Sequence, residues 1–395
     1  MNTIKFLILF VCMTYMGNFL SAQELTQTIR GTIVDQDSKM PLIGANVLIL
    51  NTMNPQGATT DLEGYFKIEN VKVGRVNLEV SYLGYETSIL SEVMVTSGKE
   101  VVLNIELIES VENLNEVVVI AKLDKENPLN EMATVSARSF SVEETSRYAA
   151  SFYDPARMAL NYAGVAIGGG TDDLNNEIVV RGNSPKGVLW RLEGIEIPNP
   201  NHFSNLGSSG GGISMLSSTM LTNSDFYTGA FPAEFGNATS GAFDVRLRNG
   251  NNEKREYAFM LSVLGLEAGI EGPFSKDSNA SYLLNYRYST LGLLTQLGLN
   301  IVDDDEVTYQ DLAFKISIPT AKMGTFGIFG LGGKNSASFE PAKDSIQWPL
   351  TGSDGEGFSE KETVGTIGLS HKIAFSGKSY LQTIAIASNL SLIHI

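Results

Sequence analysis

The sequence predicts a mainly β protein: an N-terminal β-sandwich, a small mixed α/β unit, and the first strands of an antiparallel transmembrane β-barrel that is incomplete. Three observations predict this. Short β-forming runs alternate with turn residues from 27 to 108, which is typical of a sandwich. Glycine-rich loops and one short helix signal occupy 123–250. After residue 251 apolar and polar residues alternate with period two, which indicates strands with one apolar face.

Residues 1–22 have the layout of a secretory signal peptide. One positive charge, Lys5, precedes an apolar run from 6 to 16, and the small residues Ser21 and Ala22 follow it. We expect cleavage after the second of these. A membrane anchor is the alternative, but it needs about 18 or more apolar residues, and this run is shorter.

Charge and cysteine content exclude several classes of protein. Asp and Glu number 44 against 28 Lys and Arg, a net charge of −16, which argues against a nucleic-acid partner. The only cysteine, Cys12, lies inside the predicted signal peptide, so no disulfide scaffold is expected. His202, His371 and His394 are scattered and have no metal-ligand spacing. Lys334 follows a glycine but lacks the rest of a phosphate loop. We therefore expect no enzyme activity, no metal site and no cofactor.

Residues 23–110 are the predicted sandwich, which we expect to be antiparallel. Asp61 offers a carboxylate that can cap a turn, and Gly64 supplies a residue that tolerates positive φ. A calcium site at Asp61 and Glu63 is the alternative, although the loop is too short for an EF-hand. The segment resembles the carboxypeptidase-regulatory-like domain at Gly31, Pro41, Leu42, Gly44, Ala45, Thr60, Asp61, Gly64 and Phe66.

Residues 123–250 predict a compact mixed α/β unit. Asp154 and Pro155 are the cap and first residue of a short helix, which we expect to end at Gly164. Two strand signals, in 177–183 and 188–198, follow a glycine and aspartate loop. The unit has no nucleotide fingerprint. Its aromatic residues are expected to pack in a core, with a lining of the ligand path as the alternative: Trp190, Phe226, Tyr227, Phe231 and Phe235.

Residues 251–395 predict transmembrane strands. Along several ten-residue segments, aromatic and aliphatic side chains fall on one face and charged or small side chains on the other. The apolar set includes Tyr282, Leu284, Tyr286, Tyr288, Leu312, Phe314, Ile316, Ile318, Ile367, Leu369, Ile373 and Phe375. Near Leu264 the apolar residues change from odd-numbered to even-numbered positions, which requires a bulge or break in the strand. A soluble sandwich with one solvated face is the alternative. Only six or seven strands fit before residue 395, and an open sheet leaves unpaired edges in lipid, so we expect a fragment.

Taken in order, these parts resemble the TonB-dependent outer-membrane receptors that carry an N-terminal carboxypeptidase-regulatory-like domain. The resemblance rests on 155–165, 178–182, 192–198 and 227–245, and it implies that 123–250 is the plug domain of a plugged barrel. The plug motif is assigned to Arg181, Gly182, Glu193 and Gly194. Glu193 stands where the family frequently has aspartate. The end of the plug lacks the pattern of the family's glycan importers, which weakens a polysaccharide ligand and a lipoprotein lid.

A short apolar stretch in the linker 111–122 resembles the TonB box of that family. Its residues are Leu114, Asn115, Glu116, Val117, Val118, Val119 and Ile120. Valine-rich sequence has high β propensity, and an exposed strand former between charged flanks suits capture at the sheet edge of a partner. The alternative is a last strand of the preceding sandwich.

The resemblance implies energy-coupled uptake of a bulky nutrient, such as a metal chelate, oligosaccharide or peptide. Its implied partners are the periplasmic TonB protein, outer-membrane lipid and an extracellular ligand, with the N-terminal domain in the periplasm. Arg181 and Glu193 are candidates for charge pairs between plug and barrel wall, or for solvated strand ends. A ligand sensor that does not transport, or a secreted sandwich adhesin, are the alternative functions.

Overall fold

The computed structural model describes residues 25–36, 40–50, 56–108, 137–140, 154–168, 175–204, 207–222, 224–262, 265–275, 279–290, 306–320, 322–339, 357–376 and 379–394. The chain is mainly β and divides into two compact units, with the main division along the sequence after residue 114. The predicted signal peptide and TonB box lie outside the described residues. Within those residues, no helix combines the length and the apolar character needed to cross a membrane.

The first unit is a β-sandwich of seven strands. They are β1 (Thr26–Asp35), β2 (Asn46–Leu50), β3 (Gly57–Thr59), β4 (Tyr65–Lys72), β5 (Gly74–Ser81), β6 (Ser88–Val95) and β7 (Val101–Leu107). One sheet has the order β4-β1-β7 and the other β3-β2-β5-β6. The expectation of a wholly antiparallel sandwich is wrong at one pair, because β1 runs parallel to β7. A parallel pair needs a long crossover, and here β2 to β6 supply it.

The motif residues of this unit join its turns. The Asp61 carboxylate accepts hydrogen bonds from the backbone N–H of Glu63 at 3.1 Å and of Tyr65 at 2.8 Å, and Gly64 has φ +73°. The geometry is that of the predicted capped turn. The Thr60 hydroxyl donates to the Leu42 carbonyl at 2.5 Å and accepts from a backbone N–H of the same turn. Two turns distant in sequence are thereby fixed to each other.

The second unit contains the predicted plug domain, which we call the plug segment and which the structure describes at 137–140, 154–168, 175–204, 207–222 and 224–250. Its elements are β8 (Ala137–Phe140), α1 (Pro155–Met158), β9 (Val165–Ile167), β10 (Ile178–Val180), β11 (Leu189–Leu192), β12 (Ile195–Glu196), β13 (Asn201–His202), β14 (Ile213–Ser214), β15 (Ser224–Tyr227) and β16 (Ala242–Val245). The main sheet has the order β12-β11-β16-β15-β8. The helix signal is confirmed, since Asp154 caps α1 by accepting from Ala156 N at 2.8 Å. A single 3₁₀ turn then carries the helix only to Asn161.

Aromatic side chains form the core of the plug segment. Trp190 stacks on Phe243 with ring centroids 4.3 Å apart, and Phe226 lies 4.4 Å from the same ring. Tyr227 and Phe235 pack together on the opposite side of the sheet. All five side chains are buried, as the sequence predicted for four of them. Because aromatic pairs dominate the energetics of small cores, this cluster holds the short strands together.

The remainder of the second unit is one sheet of seven antiparallel strands in sequence order. The strands are β17 (Glu256–Leu261), β18 (Gly265–Pro273), β19 (Ser281–Ser289), β20 (Glu306–Thr320), β21 (Gly324–Phe339), β22 (Phe358–Ser376) and β23 (Ser379–His394). The predicted break near Leu264 is a chain reversal, because Leu261 pairs with Leu266 across a hairpin. Parity therefore changes there without a bulge.

The two faces of this sheet follow the predicted alternation. We call the outer face the one that carries Tyr257, Leu284, Leu312 and Ile367, and the inner face the one that carries Glu267, Asn285, Asp311 and Glu362. Cross-strand partners share a face, and the register places both sets consistently from β17 to β22. The outer residues are exposed or half-buried, whereas the inner ones are buried. What buries them is the plug segment.

Candidate functional site

The candidate site is the contact between the plug segment and the inner face of the sheet. Four carboxylates of the sheet lie there, on three strands: Glu267 is 3% exposed, Glu271 2%, Asp311 3% and Glu362 2%. Burying a charge is costly unless the charge is paired and hydrogen-bonded. Each of the four is bonded to residues of the plug segment, so the contact is polar at its centre.

The first of these contacts joins the β13–β14 hairpin to β19 and β20. His202 Nε2 lies 2.9 Å from Asp311 Oδ2. The Arg287 guanidinium donates to the same oxygen from Nε at 3.0 Å and from Nη2 at 2.8 Å, and it also donates to the Ser214 carbonyl. The His202 ring packs against Tyr309 with centroids 4.9 Å apart. One carboxylate thus fixes both a strand neighbour and the hairpin.

The His202 ring is seated in a space that a glycine provides. A Cβ built on Gly333 would lie 2.5 Å from His202 Cε1 and 3.1 Å from Met215 Sδ. Burial lowers the pKa of His202 below its ordinary value, although the hydrogen bond and the charge of Asp311 act in the opposite direction. The neutral imidazole donates from Nε2 to Asp311. The contact is therefore sensitive to protonation of a second ring nitrogen.

A second contact joins the same hairpin to β21 and β22. The Glu362 carboxylate accepts from the Ser204 hydroxyl and, at 3.4 Å, from the Ser204 backbone N–H. Asn335 Nδ2 donates to Glu362 Oε2 at 2.6 Å and lies 3.4 Å from His202 Nδ1. Four strands of the sheet, β19 to β22, thus share one plug hairpin.

Two further contacts lie on β18. Glu267 Oε1 accepts from Ser217 at 2.7 Å, from Thr219 at 3.0 Å and from Asn285 at 2.7 Å. Arg248, near the end of the plug segment, donates to both oxygens of Glu271 at 2.6 and 2.8 Å. A bidentate pair of this kind is geometrically specific and stronger than a neutral hydrogen bond. It fixes the point at which the plug segment passes into the sheet.

Glu193 and Gly194 form a tight hairpin turn between β11 and β12. Both have positive φ, 54° and 87°, and Leu192 pairs with Ile195, which is the geometry of a type I′ turn. A left-handed conformation costs a non-glycine residue roughly 1–2 kcal/mol. The Glu193 side chain offsets this cost, since it accepts from Leu247 N at 2.8 Å and from Lys315 Nζ at 3.0 Å. Lys315 belongs to β20, so this plug-motif residue reaches the sheet.

Arg181 and Gly182 form the equivalent turn after β10. Their φ values are 52° and 79°, and a bridge joins Val180 to Asn183. Arg181 is exposed, and its Nη2 donates to the Thr228 hydroxyl at 3.0 Å. The two plug-motif turns are therefore alike in backbone. They differ in what the charged residue binds: Arg181 contacts the plug segment itself, and Glu193 contacts a strand.

The plug hairpin is also tied to the helix. Asn176 Nδ2 donates to Asp154 Oδ2 and to Asn201 Oδ1, both at 2.7 Å, and Asn176 Oδ1 accepts from Gly211 N at 2.7 Å. Burial raises the pKa of Asp154, against the hydrogen bonds that favour its charged form. Asn176, two residues before β10, thus joins the hairpin to the cap of the helix.

Sequence reasoning found part of this site. The period-two pattern placed Asp311, Lys315 and Arg287 opposite the apolar face, but it gave no partners for them. His202 was set aside as scattered, because its partner lies 109 residues away in the chain. No group of three His, Cys, Asp or Glu side chains suited to a metal ion occurs in the described part of the chain.

Comparison with known proteins identifies the first unit. Residues 29–119 match the CarboxypepD_reg-like domain, so the resemblance predicted for this segment is confirmed. The matched range includes Leu114 to Val119, which the sequence assigns to the TonB box or, alternatively, to a last strand of the sandwich. Among proteins of curated function, none matches this chain.

Solved structures match over a larger part of the chain. The siderophore receptor PirA from Acinetobacter baumannii is 14% identical, with 64% of this chain and 39% of the receptor covered and a TM-score of 0.43. A mutant of the ferric enterobactin receptor PfeA from Pseudomonas aeruginosa is 12% identical, with 67% and 42% covered and a TM-score of 0.43. The chain thus spans about two fifths of the length of these receptors. A cohesin–X-dockerin complex from Acetivibrio cellulolyticus is 26% identical over 20% of this chain and 56% of that one, with a TM-score of 0.18.

Proposed function

We propose that this chain belongs to a TonB-dependent outer-membrane receptor that takes up a bulky nutrient by energy-coupled transport. One observation carries the proposal: a plug segment is held by buried polar contacts on the inner face of an antiparallel sheet whose outer face is apolar. A soluble sandwich would instead bury an apolar face and expose the polar one.

The outer face supports a location in lipid. Tyr257 is 61% exposed, Phe259 78%, Leu261 73% and Leu369 56%. Contiguous exposed apolar surface of this kind marks membrane or protein contact. Aromatic side chains are frequent along it, as in barrel strands that face a bilayer. We place this face in the outer membrane and the CarboxypepD_reg-like domain in the periplasm.

The polar nature of the plug contact supports movement of the plug. Apolar packing between plug and wall would have to be exposed to water before the plug could leave. Separating ion pairs and hydrogen bonds costs less free energy, because water can replace each partner once it enters the interface. Asp311, Glu362 and Glu267 would each gain water in place of a plug donor, and Glu193 would gain water in place of Lys315 of the sheet. The aromatic core around Trp190 need not open.

Force would reach the plug from its N-terminal side. The predicted TonB box, Leu114 to Ile120, precedes β8 in the chain, and β8 is an edge strand that pairs only with β15 among the described strands. In the proposed cycle, ligand binds on the extracellular side, TonB captures the box by adding it to a sheet edge, and tension detaches β8 first. A metal chelate, oligosaccharide or peptide then passes the displaced hairpin.

Deletion of residues 114–120 tests this function. We expect energy-dependent uptake of the ligand to be abolished while the amount of protein in outer membranes is unchanged. A matched deletion of the seven residues 123–129, at the polar start of the predicted plug domain, is the control and should retain uptake. Uptake that persists without 114–120 would refute the box assignment. Recovery of the protein in the soluble fraction without detergent would refute the receptor itself and favour the adhesin.

A further inference from the structure

The outer face of the sheet contains a groove. It has a volume of about 660 Å³ and lies across β19 to β23. Gly332 and Gly365, which pair directly across β21 and β22, form its floor. Leu312 on one side and Ile367 on the other form its walls.

Missing side chains create the groove. One outer-face row reads Tyr286, Leu312, Gly332, Gly365 and Asn389 from β19 to β23. Its two central positions are glycines. A Cβ added at Gly365 would meet no atom within 4 Å, so packing does not require a glycine there. Glycine within a strand weakens it and often marks close approach of a ligand.

The groove is apolar along its length and cationic at one end. Gln310 and Lys334 pair across β20 and β21 and line that end. The Tyr286 hydroxyl donates to Gln310 Oε1 at 2.8 Å. Lys361 lies on the same face, one pair beyond Thr363, and both lysines are exposed. The opposite end is closed by the Phe314 ring, which covers Gly330.

We propose that this groove binds one acyl chain of an anionic phospholipid, one whose headgroup carries a net negative charge, with the headgroup phosphate at Lys334. The inference rests on the proposed function, since it requires the outer face to lie in a bilayer. The volume is within the range of about 300–1,000 Å³ that is usual for small-molecule sites. Lysines beside an apolar surface attract anionic lipid headgroups and can extend their charge toward the interface. The end with Lys334 is the end at which the longest strand connections lie, 290–305 and 340–357, which is the extracellular side in such barrels.

The test uses the full-length protein, purified in detergent and washed free of endogenous lipid. Phosphatidylglycerol or phosphatidylcholine is added, and lipid that remains bound is counted by native mass spectrometry. Gly365→Leu fills the groove without a backbone clash, and Lys334→Gln removes the cation. Thr383→Leu on the outer face of β23 and Lys322→Gln at the far turn are the matched controls.

We expect the wild type and both controls to retain one phosphatidylglycerol. Gly365→Leu should retain none, and Lys334→Gln should bind phosphatidylglycerol about fivefold more weakly with little change for phosphatidylcholine. Equal retention by the wild type and Gly365→Leu would overturn the groove, and so would equal affinity of the wild type for the two lipids. If the protein also fails to enter membranes, the proposed function fails with it; if it inserts and transports, only the groove is wrong.

Discussion

The inner and outer faces of the seven-stranded sheet are made by alternate residues of the same strands, yet they have opposite chemistry. Asp311 is buried against His202 and Arg287, whereas its neighbour Leu312 is 39% exposed on the other side. The inner face carries paired charges that hold the plug segment. The outer face carries apolar side chains without such partners among the described residues. The inner face suits a contact that can form and separate, and the outer face suits lasting contact with lipid.

The largest difference is expected from truncating adjacent residues of β20. Asp311→Ala leaves Arg287 and His202 buried without their acceptor and should destabilise the plug contact by about 3–5 kcal/mol. Leu312→Ala removes an outer side chain and should cost about 1 kcal/mol or less. Urea titration in detergent, followed by tryptophan fluorescence in a Trp348→Phe background so that buried Trp190 reports alone, measures both. Equal losses would mean that the two faces do not differ as described.

A charge on the outer face should prevent membrane assembly. Leu369→Arg, near the middle of β22, is expected to cost about 2–4 kcal/mol if this position lies at the bilayer midplane. The fraction of folded protein in lipid vesicles, judged from gel mobility without heating, reports the effect. Leu369→Met is the control and should assemble normally. Normal assembly of the arginine variant would place this face in water.

Two glycines on opposite faces give the next comparison. Gly333→Ala puts a methyl group 2.5 Å from the His202 ring and should cost about 1–3 kcal/mol, as overpacking does. Gly365→Ala meets no atom within 4 Å and should be close to neutral. The same urea titration compares them. The description of the His202 seat is wrong if the two variants have equal midpoints.

The smallest effect concerns pH. Burial lowers the pKa of His202 in the folded state. Between this lowered pKa and about pH 6.5, a His202 ring exposed to water therefore binds more protons than the ring buried in the plug contact. Its stabilising contribution is complete above pH 6.5 and is lost as pH falls through the folded pKa. Asp311 and Glu362 favour the charged ring and Arg287 disfavours it.

The measurement is the urea midpoint at pH 7.5 and pH 5.5 for the wild type and His202→Gln. The wild type should lose more stability on acidification than the variant. Burial raises the pKa of Asp154 and of Asp244, which acts in the opposite direction at low pH. Both groups are present in each protein, so the difference isolates His202. Identical pH dependence would exclude a role for its protonation.

The strands could be predicted from sequence because alternation is a local signal. The alternation in Tyr282 to Ser289 identifies both faces within one strand. The change of pattern near Leu264 predicted a bulge or break, and the structure has a chain reversal there. The parallel pairing of β1 with β7 could not be predicted, since nothing local distinguishes a parallel from an antiparallel edge. The plug-segment partners of Asp311 and Glu362, which are His202 and Ser204, lie more than a hundred residues away in the chain, and period-two patterns do not encode such contacts.

The plug motif shows the same limit. Glu193-Gly194 and Arg181-Gly182 look alike in sequence, and both adopt the same left-handed turn. Only the three-dimensional structure shows that Glu193 binds Lys315 of the sheet while Arg181 binds Thr228 of the plug segment. In the structure, the left-handed conformation of these two charged residues marks them, because such strain persists only where the surrounding structure holds it.

The central claim is that the two faces of β22 meet different surroundings, lipid outside and plug inside. Cys12, the only cysteine of the chain, lies in the predicted signal peptide, so no native thiol is expected to compete for a label after cleavage. Single cysteines can therefore be placed from 363 to 373 and spin-labelled in the protein reconstituted in vesicles. We expect odd-numbered positions to be accessible to oxygen, which partitions into lipid, and even-numbered positions to be protected from it. Odd positions that are accessible to a water-soluble nickel chelate instead would contradict the claim.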